Sequence, residues 1–194
     1  YFINGGVGNA LNLIKYASYL LGQEASWKEP APLLKAGLYW PLLQYPRLEE
    51  LQESWVSGNK IALITFYRAL VTSGNLKPID ALIKRLLEQG INPLPVYVSS
   101  LKDQHSDEFI KEVTLKLDIS VVLNTTAFAV SSTESPAKTG PFRNTDCPVF
   151  QLILSSSEKD TWLASPTGLS PRDIAMNVAL PEVDGRLSSR AVSF

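Results

Sequence analysis

From Gly58-Asn59 onward, short runs that are apolar at nearly every position alternate with stretches in which apolar residues recur every three or four positions. Lys60–Tyr67, Pro93–Ser99, Ile119–Asn124 and Val149–Leu154 are the continuous runs, and each reads as a strand buried on both faces. Pro78–Gln89 and Ser106–Leu117 carry the helical spacing, the first with proline in its opening turn and glycine just after its end. Strands separated by helices of this length require crossover connections. The pattern therefore predicts an α/β fold with a mostly parallel, doubly wound sheet, four of whose strands lie between Lys60 and Ser156.

The first 58 residues differ. Apolar positions over Asn9–Leu21 and over Arg47–Trp55 fit two helices, the first entered through the turn cluster Asn4-Gly5-Gly6-Val7-Gly8. Between them, Gln23–Pro46 holds four prolines and two tryptophans, a composition that suits an ordered arm packed on a core rather than a flexible linker. Two parts are expected: a helical and proline-rich arm at 1–58 and an α/β domain at 59–194. Val130–Pro148 reads as a long polar loop of a length that in compact domains is functional or mobile. After it come a short helix over Ser157–Ser165 and another that starts at Ser170-Pro171 and ends near Leu180-Pro181.

Composition narrows the function. With 45% hydrophobic residues the 194-residue chain can bury a core, and 18 basic against 19 acidic side chains leave a formal charge of -1. Such a balance offers no basic field for a nucleic-acid backbone or an anionic membrane. The longest apolar runs fall far short of the roughly 20 residues that span a bilayer. One cysteine, Cys147, excludes an internal disulfide and every multi-cysteine zinc pattern, and suits the reducing cytoplasm. The chain opens on Tyr1 and its one methionine is Met176, so it reads as an interior piece of a longer polypeptide.

In an open parallel sheet, ligands sit beyond the carboxyl ends of the strands. Those ends carry Tyr67-Arg68, Ser99-Ser100, Asn124-Thr125-Thr126 and Ser155-Ser156-Ser157. Arg68 and Asn75, with Asn124 and Thr126, are candidate substrate-binding residues, since a guanidinium grips a carboxylate through paired hydrogen bonds; turn and helix capping accounts for the same residues. His105, among Asp103, Asp107 and Glu108, reads as a metal or proton ligand or as a solvated residue at a helix start. Asn4–Gly8 lacks the Gly-Lys-Ser/Thr ending of a phosphate loop. Pro181-Glu182-Val183-Asp184-Gly185-Arg186 places two carboxylates around one hydrophobe, either as a water-facing turn or as candidate catalytic groups, Glu182 and Asp184, that accept protons and guide a cation.

Six segments, in order, resemble the large subunit of cobaltochelatase, the CobN family, and its relative in magnesium chelatase. They are Phe66-Tyr67-Arg68-Ala69 with Ser73-Gly74-Asn75-Leu76, Gly90–Pro95, Ser99–Asp103, Val122–Ala129, Gly168–Ala175 and Val178–Arg186. Gly185-Arg186 followed by Arg190–Phe194 is similar to the cobalt branch; Leu70 stands where many cobalt-type sequences have histidine. The resemblance implies a tetrapyrrole-binding subunit that inserts cobalt, its substrate ion, into a corrin-ring precursor for cobalamin. It also implies AAA+ ATPase partner subunits that hydrolyse ATP, with this chain inactive alone. A magnesium chelatase domain acting on a porphyrin, and an α/β binding module without catalysis, are the alternatives.

Overall fold

The computed structural model describes residues 1–43, 45–130, 141–155, 157–164, 166 and 168–193. A helix, α1 (Val7–Leu20), precedes a three-residue strand, β1 (Ala36–Leu38), and a short helix, α2 (Leu48–Gln52). Then come β2 (Ile61–Tyr67), α3 (Arg68–Ser73), α4 (Lys77–Glu88), β3 (Asn92–Val98), α5 (Gln104–Leu115), β4 (Ile119–Asn124) and β5 (Val149–Leu154). The chain finishes with α6 (Lys159–Ala164), α7 (Pro171–Ile174), a π turn at Ala175–Ala179, α8 (Leu180–Val183) and β6 (Leu187–Ser193). Ten residues of the long polar loop, 131–140, lie outside the described residues.

One six-stranded sheet runs in the order β1-β3-β2-β4-β5-β6. Every pairing is parallel except that of β1 with β3. Leaving β1 aside, the chain moves from β2 outward to β3, then crosses back over β2 to β4, β5 and β6. That reversal creates a switch point between β2 and β4, where doubly wound sheets open a crevice at the strand ends.

The alternating side chains of the central strands build two cores. Leu63, Leu94, Val96 and Val98 face α5, which contributes Ile110 and Val113. Ala62, Ile64, Phe66 and Tyr97 face α4, which contributes Ile79, Ile83 and Leu86. Covering both faces explains why β3 is buried at every position and why the strands read as unbroken apolar runs. Each large side chain so buried contributes about 1.5–3 kcal/mol.

The structure extends the sheet beyond the four expected strands, at both edges. β1 lies inside the proline-rich segment and pairs Gly37 with Tyr97. β6, which reads Leu-Ser-Ser-Arg-Ala-Val-Ser, lacks the apolar run of a buried strand because it closes the other edge, half in solvent. The last helix was expected to end near Leu180-Pro181 and instead continues to Val183. A proline inside a helix clashes with the carbonyl of the preceding turn, and the widened π turn just before it relieves that clash.

Gly37 marks the tightest contact of the arm with the core. A Cβ there would stand 2.5 Å from the Tyr97 hydroxyl oxygen and 2.7 Å from its ring. Tyr97 is 4% exposed and has nowhere to retreat. Gly37→Ala is therefore expected to destabilise the domain by about 1–3 kcal/mol through overpacking. Thermal unfolding of the full-length protein checks this; an unchanged midpoint would mean the Tyr97 ring moves without cost.

Candidate functional site

At the switch point the chain after β4 turns through Thr125–Val130, and three elements clamp it. The Tyr67 hydroxyl, at the end of β2, donates to the Ala127 carbonyl at 3.0 Å. The Phe128 amide donates to the Met176 carbonyl of the π turn at 3.0 Å. The Val130 amide donates to Asp184 Oδ2 at 2.7 Å. Burial pushes the Tyr67 phenol up, so it stays a neutral donor.

Two clefts open on either side of this turn. The smaller, of about 250 Å³, is lined by Tyr67, Ser100–Lys102 and Ala127–Val130. The larger, of about 470 Å³, lies between the turn, α3 with the start of α4, and the helical run after Pro171; Tyr67, Asn75, Phe128, Asp173 and Asn177 are among its lining residues. Within it, Asp173 is 3% exposed. Its carboxylate accepts from Ser155 Oγ at 3.1 Å, and its amide donates to the Ser170 side chain that caps α7.

Beneath the turn runs a buried polar network. Asn124 Oδ1 accepts the Thr65 hydroxyl at 2.6 Å and the Thr126 hydroxyl at 2.9 Å. Asn124 Nδ2 donates to Gln151 Oε1 at 2.7 Å and to the Thr126 carbonyl at 2.9 Å. Arg186, its side chain 2% exposed, donates to Gln151 Oε1 at 3.0 Å and pairs with Asp184 Oδ2 at 2.6 Å. Burial draws the guanidinium below its ordinary value while Asp184 opposes the shift. Its Nε has no acceptor among the described residues. Full internal satisfaction of the other groups makes this network a rigid floor.

The whole chain, residues 1–194, matches the family model described as CobN/Magnesium Chelatase. It is 43% identical to the aerobic cobaltochelatase subunit CobN of a Sinorhizobium species and 38% identical to that of Pseudomonas aeruginosa, over 100% of this chain in both. The chain belongs to the CobN/magnesium chelatase family. It is 23% identical, over 95% of its length, to the chloroplastic magnesium-chelatase subunit ChlH of Oryza sativa. A solved structure, the catalytic subunit of cobaltochelatase from Mycobacterium tuberculosis, matches with a TM-score of 0.74 and 24% identity over 97% of this chain and 16% of that one, and so shares its fold. The chain spans 16% of the length of the two CobN relatives.

Four of the segments that resemble the CobN family meet at one place. Tyr67 comes from the first, Asn124–Ala129 from the fourth, Asp173 from the fifth and Asp184–Arg186 from the sixth, although Tyr67 and Arg186 are far apart in sequence. Not every candidate residue reaches a cleft. Asn75 is exposed and lines the larger one. Arg68 turns the other way, its Nη1 3.4 Å from the Leu33 carbonyl, and is not among the residues lining either cleft. Asn124 and Thr126 are 0% and 1% exposed with their hydrogen bonds used internally, so they hold the floor instead of touching a ligand.

The two acids of the Pro181–Arg186 turn part company. Asp184 points inward to Arg186 and Val130, whereas Glu182 is exposed and makes no ion pair among the described residues. Gly185, with φ of 70°, sits in the left-handed region that lets the chain leave α8 and enter β6 at once. His105 is an exposed residue at the start of α5, its amide held by the Asp103 cap. Cys147 is a free, half-buried thiol packed against the α5-side core. Among the described residues no group of three or more His, Cys, Asp or Glu is placed to hold a metal ion, and no helix is long and apolar enough to cross a membrane.

Sequence reasoning placed Tyr67 at a strand end and Phe128 in a resembling segment but named neither as a site residue, and it missed Asn177. Phe128 has φ of 69°, rare for a large side chain, and the signals for it in the sequence are its position just past a strand end and its place in the Val122–Ala129 segment. Asn177 falls on an apolar helical stretch, and nothing in the spacing announces a π turn.

Proposed function

We propose that this chain is part of the large, tetrapyrrole-binding subunit of a cytoplasmic, ATP-dependent cobaltochelatase that inserts cobalt into a corrin-ring precursor in cobalamin biosynthesis. Cobalt is the substrate ion, and ATP is hydrolysed by AAA+ partner subunits. One observation supports the reading: four of the six segments that resemble CobN meet around the clefts at the switch point. The identity of 43% with a CobN subunit against 23% with ChlH favours the cobalt reaction over its magnesium counterpart.

Metal insertion removes two N–H protons from the ring while the hydrated cation sheds water, so a carboxylate near the ring both accepts protons and draws in the ion. Glu182, exposed and lining neither cleft, is our candidate for that role, being the acid of the turn with no ion pair among the described residues. Asp184 acts through the chain: by holding Arg186 and Val130 it positions the turn that follows Glu182 and the loop that borders both clefts. Asn75 supplies an amide at the rim of the larger cleft.

The test is metal insertion by the full-length parent with its ATPase partners, offered cobalt or magnesium together with a corrinoid or a porphyrin. Cobalt insertion into the corrinoid is the expected result. Magnesium insertion into the porphyrin would assign the sibling reaction instead, and no tetrapyrrole binding at all would leave an α/β binding module of another kind.

A further inference from the structure

Two features of the larger cleft remain without an account in the fold. Phe128 is half-exposed, at 50%, and borders both clefts with its backbone in the left-handed region, at φ of 69°. A strained aromatic is kept only where its surroundings over-determine it. Here the Tyr67 hydroxyl grips the preceding carbonyl and the Met176 carbonyl grips its own amide, so the ring is held out where it packs on little. Asn177 is the converse. It is 8% exposed, lines the cleft, and its side-chain amide has no hydrogen-bond partner among the described residues.

Asn177 is mostly buried, yet its amide reaches solvent through the cleft, where a ligand group can take the place of water on it. Asn177 sits in the middle of the π turn, and such turns inside helices gather at functional sites. Its neighbour Met176 is the residue that ties Phe128 down, so the π turn fixes both groups at once. Leu70, Leu154 and Met176 supply apolar surface in the same cleft.

We propose that Phe128 and Asn177 form a subsite for one edge of the macrocycle: the Phe128 ring lies against the conjugated part of the ring, and the Asn177 amide hydrogen-bonds a side-chain carboxylate or amide on the ring periphery. An aromatic ring packs in an offset or edge-on arrangement on a conjugated surface, which the chromophore of a corrinoid offers. A primary amide both donates and accepts, so it serves a carboxylate or another amide equally well. A cleft of about 470 Å³ suits one edge with its substituent, leaving the ring centre toward solvent or the rest of the parent protein. This inference rests on the tetrapyrrole reading above and adds the residues that read the ring.

The experiment uses the full-length subunit and two metal-free corrinoid probes that differ at one pair of peripheral groups, free carboxylates in the diacid and amides in the diamide, with binding followed by fluorescence quenching. Phe128→Ala and Phe128→Gly are expected to weaken both probes at least tenfold, while Phe128→Tyr stays within about threefold. The glycine variant relaxes the backbone, so equal losses in the two place the effect on the ring and not on the turn. Asn177→Ala is expected to weaken binding at least fivefold while leaving the thermal midpoint unchanged or raised, since it breaks no hydrogen bond of the folded chain. Asn177→Asp separates the two ring substituents: a tenfold greater loss for the diacid assigns a carboxylate, and equal losses assign an amide. If the wild type binds and the Phe128 and Asn177 variants bind as well as it does, the subsite is wrong and the tetrapyrrole reading stands. If the wild type binds neither probe, both fall.

Discussion

Arg186→Met is expected to destabilise the domain by about 3–5 kcal/mol, the loss typical of removing one partner from a buried ion pair. Methionine keeps the length of the side chain but removes the guanidinium that meets Asp184, 10% exposed, at 2.6 Å. It also strips Gln151 Oε1 of one of its two donors. The Val130 amide would still have its acceptor, so the damage begins in the floor and spreads to the loop. Hydrogen exchange and thermal unfolding of the full-length protein are the measurements, with early exchange expected over 124–130 and 184–191. Asp184→Asn should cost less, because its amide oxygen still accepts from Val130. The two substitutions together should cost less than their sum, since each removes the same interaction. A loss under about 1 kcal/mol for Arg186→Met would mean that Asp184 reaches water on its own and that the pair is peripheral to stability.

Glu182→Gln is expected to leave stability unaltered and to cut metal-insertion turnover at least tenfold, with ring binding held within about threefold. The two sizes come from one premise. A tenfold loss is about 1.4 kcal/mol of transition-state stabilisation, a modest demand on one positioned base. Glutamine preserves the shape and the weak contact with Ser188 Oγ, at 3.5 Å, and removes only the negative charge and the proton acceptor. Steady-state insertion of cobalt by the full subunit with its ATPase partners, beside equilibrium ring binding, separates the outcomes. Normal turnover would sink the assignment and leave the turn with a purely structural role through Asp184. A matching loss in binding would make Glu182 part of ring recognition instead.

The contrast between these two acids follows from a single turn. Glu182 lies in α8 and Asp184 caps its end, and residues two apart there are set about 200° apart around the helix axis, so the two acids point in different directions. Only Asp184 meets Arg186, whose side chain passes under the strand ends to Gln151 and Thr126. A lone substitution at either acid therefore reports on a different link: Asp184 on packing, Glu182 on chemistry.

What the sequence determined alone was the periodic part of the fold. Ile119–Asn124 and Val149–Leu154 are strands at the residues expected, and α4 and α5 lie within two residues of their predicted starts, because burial on both sheet faces writes itself as apolar runs and on helices as three- and four-residue spacing. It also brought out the six segments of family resemblance. Tertiary structure decided the edges, where β1 and β6 form by pairing with a neighbour and need no apolar run of their own. It decided the fate of the strand-end polar residues too: side-chain amides and hydroxyls look alike in sequence whether they meet a ligand or one another, and only the parallel register of β2, β4 and β5 brings Thr65, Asn124 and Gln151 into line and turns Asn124 inward. The cleft itself depends on a backbone twist at Phe128 and a π turn at Asn177, both imposed by hydrogen bonds from distant segments, and local propensity carries no signal for either.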